Sequence, residues 1–185
     1  MKPSIPKSTA TSKLVMPVIG RDHIQGRVDS SYTFLEYGDY ECPYCGEAYP
    51  IVKAVQDQLG DGLCFAFRNF PLVNAHPHAQ HAAEAAEAAG TEGKFWEMHD
   101  LLFENQDALE DEDLARYAIA LGLDGRRLMA EIMAGEYTAR VREDFKSGAR
   151  DGVNGTPSFF VNGVRYDGVP DVEELLAALK QSHRQ

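Results

Sequence analysis

The sequence is short of cysteine, of basic charge and of long apolar runs, and each shortage removes a class of protein. Three cysteines in 185 residues, Cys42, Cys45 and Cys64, are too few and too unevenly spaced for a secreted disulfide scaffold. Eighteen Lys and Arg against 29 Asp and Glu leave a formal net charge of −11. An acidic chain is repelled by nucleic acid and by anionic membrane surfaces, so neither is an expected partner. No stretch approaches the ~20 apolar residues that cross a bilayer, so no membrane insertion is expected. Nor is a secretory leader expected from the residues at the start. Met1 to Gly20 carries Lys2, Lys7 and Lys13 and no acid, and its longest apolar run, Leu14 to Ile19, is broken by Pro17. A leader needs an apolar stretch of ~7–15 residues and a small-residue cleavage site. The expectation is a cytoplasmic protein, or a periplasmic one if a leader has been removed.

What is present suits one compact domain, or one domain carrying a large insertion. Hydrophobic residues make up 44% of the chain, enough to fill a core without disulfides. The acid is concentrated between Glu84 and Asp113, with eleven Asp/Glu against Lys94 alone, the pattern of a solvated helical face. Residues 1–13 are polar and read as a flexible tail. Lys13 to Ile19 reads as a short outer strand. Tyr32 to Tyr37 and Leu63 to Phe70 have the aromatic and β-branched character of central strands. Between them a helix opens at the cysteine motif, with Pro43 in the first-turn position that tolerates proline, and stops at Gly60. Pro50 inside it is expected to kink it. Strand, helix, strand makes a βαβ unit with a parallel pair. Pro77 to about Gly152 is helical, with four helices marked by Ala82–Ala89, Phe95–Phe103, Leu114–Leu121 and Leu128–Met133. After the breaker Gly155-Thr156-Pro157, two short strands flank Asn162-Gly163, a hairpin signal, and a last helix covers Val172 to Leu179.

The chemistry lies in Cys42-Pro43-Tyr44-Cys45. Disulfide exchange needs an attacking thiolate and a second thiol near enough to resolve the mixed disulfide. Two cysteines three apart at a helix start share one face. Cys42 at the cap faces unpaired N–H groups that favour a thiolate, so it is the expected nucleophile, and Cys45 the resolving thiol. Asp39 and Glu41 oppose a thiolate by like charge, and no Lys, Arg or His adjoins the motif in sequence. Glu36 lies in an apolar strand six residues earlier. Buried there, it would have a raised pKa and could take the proton from Cys45; at a strand end it would reach water. Cys64 reads as a small buried hydrophobe. His76, His78 and His81 form a loose cluster that reads as a polar loop, so neither a metal nor any other cofactor is expected.

These motifs in this order resemble a known family. Gly38 to Cys45, Phe67-Arg68-Asn69-Phe70-Pro71-Leu72, Lys94 to His99, and Gly155 to Phe160 followed by Asn162-Gly163 resemble the DsbA-like branch of the thioredoxin superfamily, over roughly Asp22 to Leu179. The resemblance implies an α/β thioredoxin fold with an all-helical subdomain inserted. Residues 14–74 and 153–185 would form the thioredoxin domain and 75–152 the insertion. It implies a cis Thr156-Pro157 peptide facing the cysteines, and substrate contact there and at Pro43 and Tyr44. It favours Glu36 as a buried acid beneath the site. The expected partners are polypeptide thiols and disulfides, and a redox protein that recycles the cysteine pair. Pro-Tyr between the cysteines is also the glutaredoxin dipeptide, so oxidase and reductase both stay open. The alternatives are a glutathione-linked transferase or isomerase on the same scaffold, which needs no second cysteine, and a metal-binding module.

Overall fold

The computed structural model describes residues 13–14 and 17–181. The predicted tail at 1–13 therefore lies almost wholly outside the described residues. Five strands form one mixed sheet in the order β1-β3-β2-β4-β5. They are β1 (His23–Gln25), β2 (Tyr32–Gly38), β3 (Leu63–Asn69), β4 (Ser158–Val161) and β5 (Val164–Tyr166). β2 and β3 run parallel, with Glu36 opposite Phe67, while β1, β4 and β5 join antiparallel. β3 and the last five residues of β2 are buried throughout, which is why they read as continuous apolar runs rather than alternating ones.

The crossover from β2 to β3 is α1 (Pro43–Leu59), with Cys42 as its cap in extended conformation and Pro50 inside it. Cys45, Ala48, Val52 and Val55 recur at helical spacing and form its buried stripe. Five helices follow β3: α2 (Ala79–Gly90), α3 (Phe95–Glu104), α4 (Asp111–Ala120), α5 (Gly125–Met133) and α6 (Thr138–Arg150). α2 is the centre of this group and packs against the other four. Its alanines make that possible, because short side chains let several neighbours approach closely.

α6 is one helix more than the sequence pattern predicts. Its inner face is buried through Val141, Asp144, Ser147 and Gly148, and only the first of these is a large apolar residue. The polar members are matched elsewhere. Asp144 accepts the Asn69 N–H at 3.1 Å, and Ser147 Oγ lies 2.8 Å from the Tyr37 hydroxyl. Of the expected outer strand at Lys13 to Ile19, the described residues form a single bridge, between Lys13 and Val164 of β5, with residues 15 and 16 outside the described residues; the edges of the sheet are β1 and β5.

The chain returns through β4 and β5, joined by Asn162-Gly163 with φ of 49° and 79°. Positive φ at both central residues suits the twist of a two-residue hairpin. Asn162 also locks the hairpin inward, accepting the Thr33 N–H at 2.8 Å and donating to Leu179 O at 2.9 Å. α7 (Val172–Gln181) then packs Leu175, Leu176 and Leu179 into the main core. That core fills the α1 side of the sheet, and a smaller one around Leu35, Tyr37 and Phe160 fills the other.

Candidate active site

The end of β2 and the start of α1 set the two cysteines. Cys42 N donates to Asp39 O at 3.1 Å, and Cys42 O accepts the N–H of Cys45 and of Gly46, each at 3.1 Å, which begins the helix. All three cysteines are free thiols. Cys42 is 3% exposed and Cys45 fully buried. Their thiols are driven apart electrostatically. Hydrogen bonding from the Cys45 thiol, then from Thr156 and the N–H groups of Cys45 and Tyr44, outweighs desolvation and pulls Cys42 down to about 5. Burial above all, and then the Cys42 sulfur it serves, push Cys45 well above the usual thiol range.

Thr156 and Pro157 come to the cysteines from the far end of the chain. The Thr156-Pro157 peptide is cis, and the Cys42 thiol donates to Thr156 O at 3.4 Å across 114 residues of sequence. Thr156 Oγ1 is buried with no hydrogen-bond partner among the described residues while Cys42 is a thiol, so its hydroxyl is free to donate to the Cys42 sulfur when that ionises. Beside this contact runs a cleft of about 350 Å³, with Tyr44, Ile51, Thr156, Pro157, Phe159 and Tyr166 among its walls. Tyr44 stands out of it, 67% exposed.

Glu36 is buried, 2% exposed, in mid-sheet between Phe67 and Phe159, so it does not reach water from a strand end. Its Oε1 has no hydrogen-bond partner among the described residues. Desolvation, with a smaller push from Cys42, raises its pKa to about 8. Gly38 leaves it room. A Cβ on Gly38 would stand 2.4 Å from the Phe67 ring and 3.1 Å from Glu36 Oε1.

The acids beside the motif are engaged by a loop that sequence adjacency could not reveal. Asp39 Oδ1 accepts the Glu41 N–H at 2.9 Å, and Oδ2 accepts Leu72 N–H and faces His76 Nδ1, both at 2.8 Å. Glu41 accepts the His78 N–H at 2.6 Å. Burial opposes a charge on His76, but the bond to Asp39 prevails and raises its pKa. A histidine therefore does stand by the motif, brought by the β3–α2 connection. His76 and His81 each pair with an aspartate, Asp39 and Asp111, rather than with each other. No group of three His, Cys, Asp or Glu suited to a metal occurs among the described residues. Cys64 is buried on the sheet face opposite Glu36, and burial raises its pKa.

Known proteins share this fold. A protein-family model described as thioredoxin matches residues 19–181. BdbD from Bacillus subtilis, in its oxidised form, superposes with a TM-score of 0.82 at 23% identity, covering 95% of this chain and 98% of its own. A thioredoxin-like oxidoreductase from Silicibacter pomeroyi superposes with a TM-score of 0.80 at 27% identity, covering 90% of this chain and 95% of its own. Among curated sequences, the Na(+)/H(+) antiporter NhaA 1 of Mycolicibacterium vanbaalenii is 41% identical over 93% of this chain. That of Salinispora arenicola is 46% identical over 90%. The chain spans only 28% and 26% of the length of these two relatives.

These relatives correct the cytoplasmic expectation. It rested on the first twenty residues, whereas sequences matching nine-tenths of this chain occur within proteins named for a membrane antiporter. Among the described residues no helix is long and apolar enough to cross a membrane. The matched region takes in both strands and helix of the βαβ unit, the helices after β3 and the returning hairpin, so the chain belongs to the thioredoxin family and has the DsbA-like form of its fold.

Proposed function

We propose that this chain exchanges disulfides with polypeptide substrates, with Cys42 as nucleophile, Cys45 as resolving thiol and Glu36 as the proton acceptor. The observation that carries the reading is the separation of the two thiols: Cys42 pulled down to about 5 and Cys45 pushed up, one helical turn apart. A thiolate at neutral pH is the attacking species, and a thiol that keeps its proton waits for the second step.

The Cys42 thiolate bonds to one sulfur of a substrate disulfide, and the electron pair of the broken S–S bond leaves with the other sulfur. Cys45 then gives its proton to the Glu36 carboxylate and bonds to Cys42 Sγ, expelling the second substrate sulfur. The substrate gains two electrons and the protein holds a Cys42–Cys45 disulfide. A carboxyl with a pKa near the working pH suits this transfer. The reverse sequence oxidises a dithiol substrate, and the redox partner that recycles the pair sets the direction. The cleft beside Tyr44 and Thr156-Pro157 supports an extended peptide as substrate, held by backbone pairing at Thr156 in the manner of strand addition.

Alkylation near neutral pH should label Cys42 alone, and Cys42→Ser should abolish reduction of insulin disulfides. Cys45→Ser should accumulate a mixed disulfide with substrate. Full turnover in Cys45→Ser would instead favour a glutathione-linked enzyme, which has no use for a resolving cysteine.

A further inference from the structure

Gln106 belongs to the connection between α3 and α4, far in sequence from the redox loop, yet its carboxamide closes on that loop. Nε2 donates to the carbonyl oxygens of Tyr40 and of Cys42, both at 2.8 Å. An amide nitrogen carries two hydrogens, so one group serves both carbonyls. The Cys42 carbonyl is the one that starts α1 by accepting from Cys45 and Gly46. Gln106 therefore braces the residue that bears the reactive sulfur and the peptide two before it.

The approach depends on Gly46, directly after Cys45. A Cβ on Gly46 would lie 1.9 Å from Gln106 Oε1 and 2.6 Å from its carboxamide carbon. Gly46 is in the first turns of α1, where alanine is the better helix former. A glycine that weakens the helix is accounted for by the amide seated on it.

We infer that Gln106 is a positioning residue of the redox site: the helices inserted after β3 use its carboxamide, seated on Gly46, to hold residues 40–42 so that the Cys42 sulfur stays over the N-terminal amides of α1. This deepens the dithiol reading above and rests on it. Loss of the brace lets the sulfur drift from the donors that favour its thiolate. The reduced form carries that thiolate, so the equilibrium against an external dithiol shifts toward the Cys42–Cys45 disulfide.

The test compares the full chain with Gln106→Leu and Gly46→Ala. Two quantities are read: the pH profile of Cys42 alkylation and the equilibrium of the pair with glutathione. In both variants the alkylation midpoint should move up, and the reduced-to-oxidised ratio at fixed glutathione should fall about three- to tenfold, equal to ~15–30 mV. Gly46→Ala keeps the glutamine and improves helix propensity, which offsets part of the cost of displacing the carboxamide; melting is read for both variants, and the redox equilibria are compared well below either midpoint so that instability does not enter. If Gln106→Leu does not fold, Gly46→Ala decides alone. A folded Gly46→Ala protein with the parent's profile and glutathione equilibrium overturns the inference. The parent is its own control. Failure of Cys42 to alkylate selectively in the parent, with insulin reduction surviving Cys42→Ser, sinks the dithiol reading itself.

Discussion

Acidifying the reduced protein should destabilise it through Cys42 alone by an amount large enough to measure. The folded thiol titrates at about 5, and an unfolded one at ~8.5. An acid with a depressed folded pKa contributes stability that is complete above the unfolded pKa and lost as pH falls through the folded one. Between those limits each pH unit is worth ~1.4 kcal/mol, so the contribution at pH 7 is about 3 kcal/mol, two units above the folded midpoint. Cys42 is 3% exposed, so solvent screening takes little from this. Glu36 repels the same thiolate, and a Glu36→Gln background removes that coupling. The assay is urea unfolding of the reduced protein and of its Cys42→Ala variant at pH 8, 7, 6 and 5, with reductant present. Cavity and packing losses in the variant are constant with pH. The difference between the two proteins should therefore shrink by ~1.4 kcal/mol per unit across this range. A difference flat with pH would refute the reasoning, as would a thiolate absorbance that titrates like a free cysteine.

Glu36→Gln should stabilise the protein while slowing it. The folded carboxyl titrates at about 8, so its contribution is intact below ~4.3 and lost as pH rises toward 8; at pH 7 folding must protonate a carboxylate that is ionised in the unfolded chain, and removing the ionisable group should return on the order of 3 kcal/mol, seen in urea unfolding. In the same variant, resolution of the mixed disulfide should slow by 10²–10⁴ in a stopped-flow assay, roughly the worth of a general base, with alkylation of Cys42 retained. Arg68 is fully buried and clasps Asp22 through Nε and Nη2 at 2.8 and 3.0 Å, with the Tyr37 hydroxyl at 2.8 Å. Arg68→Met strands the Asp22 carboxylate, and takes the cation from buried Asp151 4.0 Å away, and should cost about 3–5 kcal/mol; the double change Arg68→Met, Asp22→Leu should restore part of this in the same unfolding assay, with Asp151 still lacking that cation.

Much of the frame was legible because it is local. Tyr32–Gly38 and Leu63–Asn69 announce themselves by unbroken apolar character, α1 by a Pro at its first position and a glycine at its end, and the last hairpin by Asn162-Gly163. β1 was not, because His23-Ile24-Gln25 carries no strand pattern of its own and becomes a strand by pairing with the free edge of β3. α6 lies inside the stretch read as helical up to Gly152 but was not set apart as a helix of its own, because Asp144, Ser147 and Gly148 on its inner face read as surface until Asn69, Tyr37 and Phe70 are set against them. Nor was the treatment of Asp39 and Glu41, which looked unopposed by a cation until residues 72–78 folded over them.

The sequence by itself determined that two cysteines stand one turn apart at a helix start, since spacing, proline and cap are all settled within a few residues. Tertiary structure alone decided how far the two thiols are driven apart. Glu36 acquires its raised pKa only when Phe67 and Phe159 close over it, and the Thr156 side chain that favours the Cys42 thiolate arrives only when β4 pairs with β2. Burial and contact across more than a hundred residues are properties of the completed sheet, and no window of sequence contains them.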